Sequence, residues 1–144
     1  MLSLTIIFLL PYLCNAVLYT VYVKTWNEKH AGTDDNIHIS VLGNNWMYLG
    51  KLDIKGRADN DRSTLLSFRF YNDYSGLIVG GQLSCIMLFT DDDDAWLVQY
   101  VRVDVNNVDN LFYNTAKTWL STDSSEGTMR FTLCRWALGH YIAV

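Results

Sequence analysis

His30-Ala31-Gly32-Thr33-Asp34-Asp35-Asn36-Ile37-His38-Ile39-Ser40-Val41 sets a polar, glycine-containing turn directly before an alternating segment. Ile37, Ile39 and Val41 point one way, and His38 and Ser40 point the other. That is the two-residue period of an extended chain with one buried face. The turn offers oxygen atoms and the strand holds them in place. Far along the chain, Asp91-Asp92-Asp93-Asp94 offers more oxygen just before a strand led by Ala95-Trp96. Two acidic loops at strand ends point to a calcium-dependent binding surface and away from a catalytic pocket.

The same alternation extends outward in both directions. Leu18 to Trp26 sets Tyr19, Val21 and Val23 against Thr20, Tyr22 and Lys24. Further candidate strands are Asn36 to Leu42, Trp46 to Leu52, and Thr64 to Tyr71 with Leu66, Phe68 and Phe70 on one face. Gln82 to Phe89 is nearly all apolar, as a central strand would be. Trp96 to Val105 turns Val101, Val103 and Val105 inward, and Asn110 to Ala116 and Thr128 to Leu133 complete the set. Gly43-Asn44-Asn45, Arg57 to Asp61, Asn72 to Gly76, Asn106-Asn107 and Ser121 to Gly127 are turn chemistry. A short helix around Asn114 to Leu120 is a weaker expectation. The pattern predicts an all-β protein, an eight-stranded antiparallel β-sandwich.

Composition agrees. The chain has 144 residues, half of them apolar and 14% aromatic, with one proline and nine glycines. This is enough for a single domain with a true core. The net charge of −4 and eleven scattered basic residues speak against nucleic-acid binding. Leu4 to Leu13 is almost wholly apolar and ends in Tyr12-Leu13-Cys14-Asn15-Ala16. Residues 1–16 therefore read as a secretory signal peptide cut after Ala16, with 17–144 the secreted domain. The alternative is a buried first strand or an uncleaved anchor. Cys85 and Cys134 then remain, either as a disulfide in an oxidising compartment or as two buried thiols.

Tyr19-Thr20-Val21-Tyr22-Val23-Lys24-Thr25, Ala31-Gly32-Thr33-Asp34-Asp35-Asn36-Ile37 and Val41-Leu42-Gly43 together resemble the opening of a PLAT domain, the lipoxygenase-homology or LH2 module. Leu83 to Phe89, the acidic loop, Ala95-Trp96-Leu97-Val98-Gln99-Tyr100-Val101 and Trp119-Leu120 resemble its later strands and closing segment. The similarity runs roughly from Leu18 to Leu120. It implies a sandwich of two four-stranded sheets. It also implies a non-catalytic module that accompanies lipoxygenases and lipases.

Calcium takes six to eight oxygen ligands. The resemblance implies one site from the Gly32 carbonyl, a carboxylate of Asp94 and the Ala95 carbonyl. His30 stands where calcium-binding members often carry an acid, and Asp34 or Asp93 would replace it. A second site would use the Thr33 carbonyl with Asp59, Asn60 and Asp61. Affinity in the range of extracellular calcium modules, on the order of 10⁻⁴–10⁻³ M, is expected. The competing reading is a solvated acidic loop, although Asp34, Asp35 and Asp91 to Asp94 would repel one another without a counter-ion.

Lipid contact also needs apolar anchors. Trp96 follows the acidic run, and Trp26 and Trp46 lie near predicted strand ends. Tryptophan settles well at a membrane interface, but most tryptophans of a small sandwich fill its core. No His-Glu-x-x-His, Gly-x-Ser-x-Gly or phosphate-binding glycine loop is present. Cys85 sits in an apolar run, which suits packing better than nucleophilic attack. The expected role is binding without catalysis, to a lipid or membrane surface or to a protein partner.

Overall fold

A computed structural model describes residues 17–52, 65–72, 79–135 and 141–143. Its strands are β1 (Val17–Thr25), β2 (Ile37–Leu42), β3 (Trp46–Leu52), β4 (Leu65–Asn72), β5 (Cys85–Thr90), β6 (Val98–Val105), β7 (Val108–Tyr113), β8 (Arg130–Arg135) and β9 (Tyr141–Ala143). They form a four-stranded sheet ordered β4-β1-β6-β7 and a five-stranded sheet ordered β3-β2-β5-β8-β9. Neighbouring strands pair antiparallel throughout. The expected eight-stranded sandwich is therefore present in β1 to β8. The three-residue β9 adds an edge to the second sheet. The expected signal segment, residues 1–16, lies outside the described residues, as do Asp59, Asn60 and Asp61.

The alternation places the core. Tyr19, Val21 and Val23 of β1 face Ile37, Ile39 and Val41 of β2 across the sandwich, joined by Val101, Val103 and Val105 of β6. Leu66, Phe68 and Phe70 of β4 pack against this cluster from a partly exposed edge. β5 lies in the middle of its sheet, which explains its nearly unbroken apolar sequence. It begins later than expected, at Cys85. A 3₁₀ turn at Val79–Gly81 precedes it, and the Leu83 N–H donates to the Asn110 side chain at 2.8 Å.

The expected helix over Asn114 to Leu120 does not form. The buried Asn114 accepts from the Thr118 N–H at 2.9 Å, and its amide donates to the Val98 and Thr118 carbonyls at 3.0 and 2.8 Å. A side chain thus satisfies the backbone groups that a helical turn would otherwise pair.

Strand direction positions the site. β1 is antiparallel to β6, and β2 to β5, so the β1–β2 and β5–β6 connections cross between the sheets at one rim. The β7–β8 connection crosses at the same rim, because β7 pairs with β6 and β8 with β5. The connections around Gly32, around Asp94 and around Ser121 are therefore neighbours by topology.

Candidate functional site

The rim is held by hydrogen bonds between the loops. The Leu97 N–H donates to the Ala31 carbonyl at 3.0 Å, which ties the two stretches side by side. The buried Thr33 hydroxyl donates to the Asp94 carbonyl at 3.0 Å and accepts from the Asp35 N–H at 3.0 Å. The Asp34 N–H donates to Asp94 Oδ2 at 2.9 Å. Asn36 Nδ2 donates to Asp92 Oδ2 at 3.2 Å. The third connection braces the acidic run from below: Ser121 Oγ donates to the Asp93 carbonyl at 2.9 Å and the Thr122 N–H to the Asp92 carbonyl at 3.0 Å. Gly32 and Ala95 flank these contacts.

Three carboxylates converge here. One oxygen each from Asp34, Asp35 and Asp94 lie within 4.8 Å of one another. Oxygens that share a calcium ion at about 2.3–2.6 Å cannot be farther apart than about 5 Å, so the spacing fits one ion. Asp34 and Asp94 are exposed, but Asp35 is only 5% exposed. Its Oδ2 is buried and has no hydrogen-bond partner. Burial pushes the Asp35 carboxyl up to about 7, and the surrounding Asp92, Asp94, Asp34 and Asp93 push in the same direction. A buried carboxylate oxygen among like charges is costly unless a cation answers it. Bound calcium would supply that charge, with Asp34, Asp35 and Asp94 as carboxylate ligands. Beside this cluster a cleft of about 520 Å³ is lined by Lys29, His30, Asp94, Ala95, Trp119 and Glu126.

The structure sorts the sequence-derived candidates. Gly32, Thr33, Asp34, Asp94 and Ala95 come together, and Asp93 is exposed on the same loop. In the sequence Asp35 stands out only as part of the accumulated charge. The signal that singles it out is its burial phase, which follows from Thr33 being tied down on one side and Ile37 on the other.

Of the three tryptophans, Trp96 requires correction as a lipid anchor. Trp96 is fully buried, and its Nε1 donates to the buried Thr25 hydroxyl at 3.0 Å. Its backbone exchanges two hydrogen bonds of 2.9 Å with Leu120, so it locks the rim to the core. Trp46 is 45% exposed but pairs with Leu42 at the far end of β2, away from the acidic rim. Trp26 is at the rim end, half-buried, with the Lys117 ammonium 4.5 Å from its ring centroid. Lys117 in turn pairs with Glu28.

Cys85 and Cys134 face each other in register on β5 and β8 and are joined by a disulfide.

Comparison with known proteins places this architecture. The PLAT/LH2 domain model matches residues 19–132. The human lipoxygenase homology domain-containing protein 1 is 30% identical over 120 residues, covering 81% of this chain. This chain spans only 6% of that relative's length. Among solved structures, a coral 8R-lipoxygenase, described in terms of calcium activation via a C2-like domain, superposes with a TM-score of 0.54 at 26% identity. The match covers 81% of this chain and 16% of the lipoxygenase. The alpha toxin from Clostridium absonum superposes with a TM-score of 0.60 at 18% identity, covering 80% of this chain and 30% of the toxin. The strand order, the acidic rim and the match over residues 19–132 lead to one conclusion: the chain belongs to the PLAT/LH2 domain family.

Proposed function

We propose that this chain is a calcium-assisted module that docks on lipid surfaces and carries no catalytic site of its own. We place it in an oxidising, extracellular setting. One observation carries the reading: Asp35, whose Oδ2 is buried and unpartnered, belongs to a cluster of carboxylates spaced for one cation. The calcium activation described for the coral 8R-lipoxygenase supports the choice of ion. The Cys85–Cys134 disulfide supports the oxidising compartment. Calcium would offset part of the rim's negative charge and bridge it to anionic headgroups, which a chain of net charge −4 otherwise repels.

Co-sedimentation with vesicles of phosphatidylcholine and phosphatidylserine tests this. Binding in calcium and release by chelator is the expected result. Binding that ignores the chelator removes the metal from the account. Absence of binding under both conditions removes the lipid. A protein partner is the second reading, favoured by Trp46 and Tyr48, 45% and 52% exposed on the outer face of the five-stranded sheet. It predicts no vesicle binding and a complex that survives chelation.

A further inference from the structure

With Trp96 in the core and Trp26 half-buried beneath the Lys117 ammonium, a more exposed apolar group at the rim suits the lipid-surface reading. The geometry points to Met129, backed by Phe89 and Met87, as the shoulder that enters the acyl layer of an anionic bilayer, with Arg130 at its phosphate level. The inference rests on the lipid reading above and adds to it the residues that insert and the orientation of docking.

Met129 is 57% exposed and immediately precedes β8. Its carbonyl accepts from the Thr90 N–H at 3.0 Å, and Thr90 Oγ1 accepts from the Asp92 N–H at 3.2 Å. The shoulder and the acidic loop are therefore one backbone unit. Behind Met129, Phe89 stands opposite Arg130 in the β5–β8 register. Its ring stacks on His38 at 4.9 Å between centroids. Met87, Phe89, Thr90, Met129 and Arg130 line a shallow groove of about 280 Å³. That is below the usual volume of an enclosed ligand pocket, about 300–1,000 Å³, and Met129 on its wall is more than half exposed. The shape fits a soft surface better than a captured small molecule.

Charge supports the same occupant. Arg130 forms no ion pair among the described residues. Its long stem can lie along apolar surface while the guanidinium stays at the headgroup level, where phosphate matches it bidentately. Calcium at Asp34, Asp35 and Asp94 would lower the negative charge of the loop that Thr90 ties to Met129. The apolar shoulder thus has the Arg130 guanidinium on one flank and, on the other, an acidic loop that bound calcium would make less negative and could bridge to an anionic headgroup. Methionine, flexible and polarisable, adapts to disordered acyl chains. Leu65, 53% exposed, stands opposite Lys24 at the rim end of β4, on the four-stranded sheet. Met129 instead is bonded through its carbonyl to Thr90, next to the acidic run. Two other exposed apolar residues sit away from the rim. Trp46 lies at the far end of β2, and Tyr71, 70% exposed, pairs with Leu18 near the start of β1.

The test compares the unmodified protein with Met129→Glu, Met129→Leu and Tyr71→Glu on vesicles of equimolar phosphatidylcholine and phosphatidylserine in calcium. Met129→Glu is expected to weaken vesicle partitioning about tenfold or more, because a carboxylate enters hydrocarbon poorly. Met129→Leu and Tyr71→Glu should leave it within about twofold, and the calcium isotherm of Met129→Glu without lipid should match the parent. A Met129→Trp variant should show a vesicle-induced blue shift beyond that of the parent. Equal partitioning of parent and Met129→Glu, or no added shift in Met129→Trp, overturns the inference while the lipid reading stands. Failure of the parent itself to bind overturns both. A matching loss of calcium affinity in Met129→Glu also overturns it, since the residue would then act through the metal.

Discussion

Asp34 and Asp35 are adjacent and chemically identical, yet one is exposed and the other is 5% exposed with an unanswered oxygen. Burial and like charges hold the Asp35 carboxyl up at about 7. The folded protein therefore keeps a proton there that the unfolded chain releases near pH 4. Without metal, stability contributed by this residue falls as pH rises from about 4 to about 7 and then levels. At about 1.36 kcal/mol per pKa unit the full effect approaches about 4 kcal/mol. In chelator at pH 8, Asp35→Asn should melt higher than the parent, and the gap should close as pH falls towards 4. Saturating calcium should reverse the order, because only the parent retains the third carboxylate. Thermal scans across pH, with chelator and with calcium, check both signs.

Other residues act on the frame. The fully buried Asn110 accepts from the Leu83 N–H at 2.8 Å and donates to the Gly81 and Val103 carbonyls at 2.9 and 3.1 Å. Asn110→Ala should cost about 1–3 kcal/mol for the orphaned Leu83 N–H alone, read as a lower denaturant midpoint. Calcium affinity should change little, since this network lies at the opposite rim.

Elements show where sequence reading succeeds and where it runs out. The alternation of β1, β2, β4 and β6 names their buried faces from sequence, because one face of each meets the core. Between Asp94 and Val98 the period breaks: Trp96, Leu97 and Val98 are buried in succession. A tryptophan there carries no readable direction, and a lipid-facing role is as compatible with the letters as a core one. The Asn114 turn hides for a different reason. Its side-chain bonds replace backbone ones, so neither helical nor strand periodicity marks it. Met129 follows a turn and precedes only a short strand, leaving too few residues to fix its phase. The even pair of cysteines is legible, but its partnership depends on the β5–β8 register.

That pairing carries a prediction. Reduction, or replacement of both Cys85 and Cys134 by Ala, should lower stability by about 2–4 kcal/mol in denaturant unfolding. The last crossing loop carries another. A β-carbon on Gly127 would meet the Trp119 carbonyl oxygen at 2.5 Å. The Thr128 N–H donates to that same oxygen at 3.0 Å. Gly127→Ala should therefore destabilise by about 1–3 kcal/mol in thermal unfolding and loosen the brace beneath the acidic run.

At the scale of the molecule, antiparallel order alone brings the β1–β2, β5–β6 and β7–β8 connections to one rim. The sequence places acids in the first two, and the third supports them. Their convergence follows from strand direction once the sandwich is recognised. What strand direction does not supply is the depth of each carboxylate, which depends on side-chain bonds such as Thr33 to Asp94 and Ser121 to Asp93. A divalent cation is the ligand this arrangement answers best. Calorimetric titration of calcium into the parent, Asp35→Asn and Asp94→Asn, all in the oxidised form, tests that directly. A single-site isotherm is expected for the parent, with Kd on the order of 10⁻⁴–10⁻³ M, weakened in both variants. An absence of heat in the parent, with a melting temperature unmoved by calcium, would contradict it.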